Sequence, residues 1–225
     1  MQIHVVYTRK RRRQNNFFIM LTILLLLLIV LGISMVIHLC TAPRIIDGVL
    51  PDDAYGLPVY TTLVDPQQPG RTGIRREIKY IVIHETANPS RGADARRHAA
   101  YLQSGGEGRT AWHYTVDDTC AYHHIPDDEI AFHAGDGQKK NGGNQCGIGI
   151  ELCVNSDGNF EKTFDNAARL TAYLLDTYGL KTRDIKQHAD FMKKNCPQTI
   201  RDDGRWEEFV RKVKKYQSEL GGNLE

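Results

Sequence analysis

Twenty-one consecutive residues without a charge, FFIMLTILLLLLIVLGISMVI from Phe17 to Ile37, divide this chain before anything else is considered. Coiled as a helix, the run is roughly 31 Å long, about the thickness of a bilayer core. A buried core helix is a poor alternative, because no polar face interrupts the run. A cleaved signal peptide is the rival, since Cys40-Thr41-Ala42 offers a small-residue cleavage site. Signal h-regions, however, run only about 7–15 residues. The expected organisation is therefore a basic tail at 1–16, a transmembrane anchor at 17–40, a linker at 41–70 and a folded domain at 71–225.

Charge supports that division. Arg9, Lys10, Arg11, Arg12 and Arg13 precede the run with no acid among them. Setting those five aside leaves 24 basic residues against 27 acidic ones, a balance of −3. The basic cluster is thus a local address that keeps the N-terminus cytoplasmic and sends everything after residue 40 outside. It is not a nucleic-acid surface, and no nucleic-acid partner is expected. A monomer held to a membrane by its first helix is the expected state.

Residues 41–70 hold Pro43, Pro51, Pro58, Pro66 and Pro69. They read as a linker whose far end packs on the domain. From Arg71 onward, strands and helices alternate. KYIVI (79–83) and GIGIELCV (147–154) are apolar runs with the look of buried strands, and 111–116 and 121–125 read as further strands around a turn. DARRHAAYLQ (94–103), residues 164–178 and residues 205–220 read as helices. The class is α/β with a mixed central sheet flanked by helices.

Two stretches carry candidate chemistry. QHADFMKKNCPQTIRD (187–202) sets His188 and Cys196 eight positions apart, too far for one helical turn, so the pair must converge across a loop. Imidazole and thiolate are side chains that zinc prefers. His84 follows the KYIVI strand directly and stands at a sheet edge, where ligand sites gather. From spacing alone it reads equally as a ligand or as a core histidine. His98 reads as exposed on its helix. His123 and His124, adjacent on a strand, point to opposite faces. Glu151 interrupts an otherwise apolar strand, which carries a desolvation cost and invites a functional explanation. Glu85, beside His84, is the rival carboxylate. Of the five cysteines, Cys120, Cys146 and Cys153 allow at most one disulfide, and spacing does not choose the pair.

The motifs YIVIHETAN (80–88), WHYTVDD (112–118), AFHAGDG (131–137), GIGIELCVN (147–155) and QHADFMKKNCP (187–197) occur in this order. Together they resemble the zinc-dependent N-acetylmuramoyl-L-alanine amidases of the phage-lysin and autolysin type, over roughly residues 71–205. Peptidoglycan recognition proteins share that fold. The resemblance implies zinc held by His84, His188 and Cys196, with a fourth tetrahedral position left for water. It implies Glu151 as general acid/base and Lys194 as a group that faces the active site and stabilises an oxyanion. His133 is expected to line the groove, and Trp112 or His113 to touch glycan or peptide, a core role for Trp112 being an equal reading. Peptidoglycan is the expected substrate. A membrane-tethered module that binds peptidoglycan without cutting it is the alternative, and a pure binder would be expected to lose one of His84, His188, Cys196 and Glu151. A structural zinc domain would favour four protein ligands, and no clean fourth is visible.

Overall fold

The computed structural model describes residues 16–34 and 51–220. The chain forms two units, residues 1–44 and 45–225. The first contributes helix α1 (Asn16–Ser34), 19 residues with a mean hydropathy of 3.0 and no buried side chain. By length and composition it can cross a membrane. The basic tail up to residue 15, and residues 35–50, lie outside the described residues.

The second unit is built on one mixed sheet. Its strands are β1 (Asp52–Ala54), β2 (Leu57–Thr61), β3 (Tyr80–Glu85), β4 (Tyr114–Val116), β5 (Ala121–His123), β6 (Gly147–Leu152) and β7 (Ile185–Gln187). Their order across the sheet is β1-β2-β5-β4-β6-β3-β7. β3 lies next to the edge strand β7, parallel to it on one side and to β6 on the other. The helices are α2 (Ala95–Gln103), α3 (Gly143–Cys146), α4 (Phe160–Thr177), α5 (Gln198–Asp202) and α6 (Trp206–Leu220).

Strand alternation sorts the chemistry. Successive side chains point to opposite faces, so Ile81 and Ile83 of β3, Tyr114 and Val116 of β4, and Ile148, Ile150 and Leu152 of β6 share one face. There they form the main core with Phe164, Ala168, Leu174 and Leu175 of α4 and Phe209 and Val213 of α6. His84, Thr115 and Glu151 point the other way. On that second face Ala95 and Ala99 of α2 pack with Tyr60, Tyr122 and Cys153. Asp94 starts α2 by accepting the Arg97 N–H at 2.8 Å, the N-cap arrangement. The expectation of a mixed sheet flanked by helices therefore holds.

Two expectations need correction. Residues 52–61 are not linker but two strands of the sheet, with Val59, Tyr60 and Thr61 of β2 paired to β5. Pro58 lies just before that pairing begins, which is how a strand accommodates a residue without an N–H. His98 is not exposed: it is 8% accessible, with Nδ1 2.8 Å from the Asp94 carbonyl oxygen. Cys120, Cys146 and Cys153, among which spacing left room for at most one disulfide, are all free, buried thiols, as is Cys196. Cys40 lies outside the described residues.

Candidate metal centre

Strand register creates the site. In the parallel pair β3–β6, His84 stands opposite Glu151. On the other flank Ile83 stands opposite Gln187, so His188 follows at the end of β7, level with His84. Glu151, His84 and His188 thus form a row across three adjacent strands. Neighbouring strands are about 4.8 Å apart, which brings their side chains within mutual reach. His188 opens a short 3₁₀ turn, His188–Asp190. The chain then loops out and returns to Cys196, whose carbonyl accepts the Ala189 N–H at 3.1 Å.

Glu85 pins that loop. Its carboxylate accepts from Thr199 N (2.9 Å), Thr199 Oγ1 (2.8 Å) and Ile200 N (3.1 Å), capping the first turn of α5. Its own backbone N–H points at Cys196 Sγ, 3.5 Å away. Glu85 is 6% exposed and spends its carboxylate on these donors, so it does not stand free beside the metal candidates. Cys196 is thereby fixed to the end of β3, the strand that carries His84.

One ligand atom each from His84, His188 and Cys196 lies within 4.8 Å of the others, all three residues being buried. His84 Nδ1 faces His188 Nδ1 at 2.9 Å and Cys196 Sγ at 4.0 Å. Glu151 Oε1 is 4.0 Å from the same Nδ1, and its Oε2 is buried without a hydrogen-bond partner. These donors suit zinc. Burial, reinforced by His133, His188 and Lys194, holds His84 well below the ordinary histidine value. Burial and Lys194 take His188 down to about 4. Both rings are neutral near pH 7, with lone pairs a cation can use. The Cys196 thiol is pushed by burial and Glu151 up to about 12, which makes it a poor free nucleophile. A bound cation would reverse that by deprotonating it outright.

Glu151 is the carboxylate with spare capacity. Burial raises it to about 7, Lys194 working against the shift and Glu85 adding to it. Lys194 is exposed on the rim of a cleft of about 390 Å³ that Cys196, Gln198 and Pro89 also line. Cys196 is thus the candidate ligand that borders this cleft.

The residues expected to touch substrate are not brought to that cleft. His113 is fully buried, its Nδ1 accepting from Gly149 N at 3.0 Å and its Nε2 lying 3.0 Å from the Glu129 carbonyl oxygen. Trp112 donates Nε1–H to Thr115 Oγ1 at 2.7 Å and packs among His98, Tyr101 and His124. His133, 7% exposed, lies behind His84 with Nδ1 3.0 Å from His84 Nε2. All three are interior residues because the polar sheet face is covered by the loops that carry them. Sequence reasoning also missed Asn144, which accepts the backbone N–H groups of His133 (2.8 Å) and Ala134 (2.6 Å). No local signal marks an asparagine in so short a helix as such a clamp.

Residues 74–199 match the family described as N-acetylmuramoyl-L-alanine amidase. The chain is 40% identical over 139 residues to N-acetylmuramoyl-L-alanine amidase XlyA of Bacillus subtilis (strain 168), covering 62% of this chain and 45% of that protein. It is 39% identical over 143 residues to N-acetylmuramoyl-L-alanine amidase CwlH of the same organism, covering 64% and 56%. A mutant endolysin from Bacillus subtilis has the same fold, with a TM-score of 0.66 and 36% identity over 70% of this chain and 99% of that one. The chain spans about half the length of the curated relatives it matches.

Proposed function

This chain belongs to the N-acetylmuramoyl-L-alanine amidase family, and from that membership we propose that it hydrolyses peptidoglycan. The bond is the amide between the lactyl carbonyl of N-acetylmuramic acid and the nitrogen of L-alanine. The observation that carries the reading is the row Glu151–His84–His188, completed by Cys196: three buried ligand atoms within 4.8 Å and one unpartnered carboxylate oxygen beside them.

Zinc held by His84, His188 and Cys196 would supply a Lewis acid for the scissile carbonyl and an activated water at neutral pH. Glu151 takes the proton from the attacking water and returns it to the departing nitrogen, a role suited to a carboxylate poised near pH 7. Lys194, on the cleft rim, places positive charge near the oxygen that becomes negative. Glu85 holds the Cys196 loop and takes no proton.

Helix α1, Asn16–Ser34, anchors the chain in the membrane, with the basic tail cytoplasmic and the amidase domain on the outer side, where the wall lies. The functional reading is tested by incubating the detergent-solubilised full chain with purified walls and identifying new ends by mass spectrometry. Stem peptides released with free L-alanine amino ends are expected. Walls that bind the chain but show no new ends would make it a binding module instead.

A further inference from the structure

His133 makes two ring contacts, and together they determine where the hydrogens sit. Its Nε2 lies 3.1 Å from the Gly147 carbonyl oxygen, which also accepts from Arg76 Nη2 at 2.9 Å. A carbonyl can only accept, so His133 Nε2 carries the hydrogen. A neutral imidazole has one N–H, which leaves His133 Nδ1 as a lone pair. That lone pair faces His84 Nε2 at 3.0 Å, so His84 Nε2 must donate. The single hydrogen of His84 is thereby placed on the side away from His188 and Cys196. His84 Nδ1 is left bare, directed at His188 Nδ1 and Cys196 Sγ.

Building on the assignment of His84, His188 and Cys196 as zinc ligands, we propose that His133 is a positioning residue that locks His84 in its metal-ready tautomer. The other nitrogen of a ligating histidine commonly donates to an acceptor that fixes ring and tautomer. Here the acceptor is a second imidazole, itself set by a backbone carbonyl.

The surroundings are shaped for this task. Asn144, 1% exposed, fixes the backbone on which His133 stands by accepting two consecutive N–H groups. Asn144 is held in turn, donating Nδ2–H to the Gly137 carbonyl at 3.0 Å. On β6, Gly149 leaves room for the ring, since a Cβ there would come within 2.7 Å of His133 Cγ. His133 is thus fixed from its backbone, its ring face and both nitrogens. Its place is behind the ligand and not in the cleft.

The test uses the full chain in detergent, labelled with ¹⁵N-histidine, alongside His133→Leu and His133→Asn. Leucine removes both ring nitrogens, whereas the asparagine oxygen can occupy the position of Nδ1 and keep an acceptor for His84. In the metal-free wild type, the His84 resonances should report a hydrogen on Nε2 and none on Nδ1. His133→Leu should mix the two tautomers and weaken zinc binding by roughly 10–100-fold, the usual cost of losing such a partner. His133→Asn should keep the wild-type tautomer and most of the affinity. Zinc affinity is read by competition with a chromophoric chelator. A hydrogen on His84 Nδ1 in the wild type overturns the proposal. So does His133→Leu with wild-type affinity, or His133→Asn binding as weakly as leucine with the tautomer unchanged, which would mean packing alone. Should leucine prevent folding, the wild type and His133→Asn still decide it. Failure of the metal assignment shows separately, as a wild-type chain that takes up no zinc.

Discussion

Glu151 and His84 stand opposite one another on adjacent parallel strands, with Oε1 of the first 4.0 Å from Nδ1 of the second. Their separation is set by backbone register, not by a loop. The candidate base and the candidate ligand therefore stand on paired strands of one sheet.

Removal of the thiol should release the metal. The full chain should hold about one zinc, and Cys196→Ser should weaken retention by more than the roughly 10–100-fold that loss of an outer-shell partner costs. A hydroxyl is a poor substitute for a soft thiolate. Metal analysis after dialysis measures it, and full occupancy in the variant would remove Cys196 from the centre.

Glu85 should behave as a cap. Glu85→Ala strands three donors on Thr199 and Ile200 and should cost roughly 1–3 kcal/mol of stability. Zinc retention should fall as well, because the Cys196 loop loosens. Chemical denaturation and metal analysis would show both effects; an unaltered midpoint would contradict the capping role.

The Glu151 carboxyl should titrate near pH 7 in the metal-free chain, against 4.5 for the unperturbed group. Burial disfavours its charged form, so the folded state binds the proton more tightly than the unfolded state. Metal-free wild type should then lose stability relative to Glu151→Gln as pH rises from 4.5 to about 7, and level off above. Zinc places a positive charge beside the carboxylate and should move its titration down. Carboxyl ¹³C shifts report both values; a metal-free titration near 4.5 would refute the environment described for Glu151.

Topology is open to a direct assay. Protease added outside intact cells should remove the domain after residue 40 and leave the basic N-terminus protected. A freely secreted form beginning near Pro43 would show that α1 belongs to a cleaved signal.

Much of this architecture is legible in the sequence, and the exceptions have physical causes. β3 and β6 announce themselves because both faces are buried and their residues are apolar apart from His84, Glu85 and Glu151. β7 is three residues long, and Ile185-Lys186-Gln187 has no pattern that separates a strand from a loop. β1 and β2 lie in a proline-rich stretch, where composition argues for linker and only pairing with β5 makes a strand. Within the site, residue type suggested His188 and Cys196, and the resemblance of the motifs added His84. What sequence could not convey was depth. The motifs that carry His113 and His133 pointed to the groove, yet each ring has partners inside the protein. Glu85 and Glu151 look equivalent on paper; hydrogen bonds to α5 occupy one and leave an oxygen of the other free.

The proposed mechanism has Glu151 move the proton at a centre whose metal it does not hold. Turnover of purified walls by Glu151→Gln, compared with wild type at equal zinc content, tests this most directly. The substitution keeps size and removes the basic carboxylate. The expected result is unchanged zinc with turnover lower by roughly 10²–10⁴-fold, the usual contribution of a positioned acid–base group. Near wild-type turnover at full zinc occupancy would contradict it.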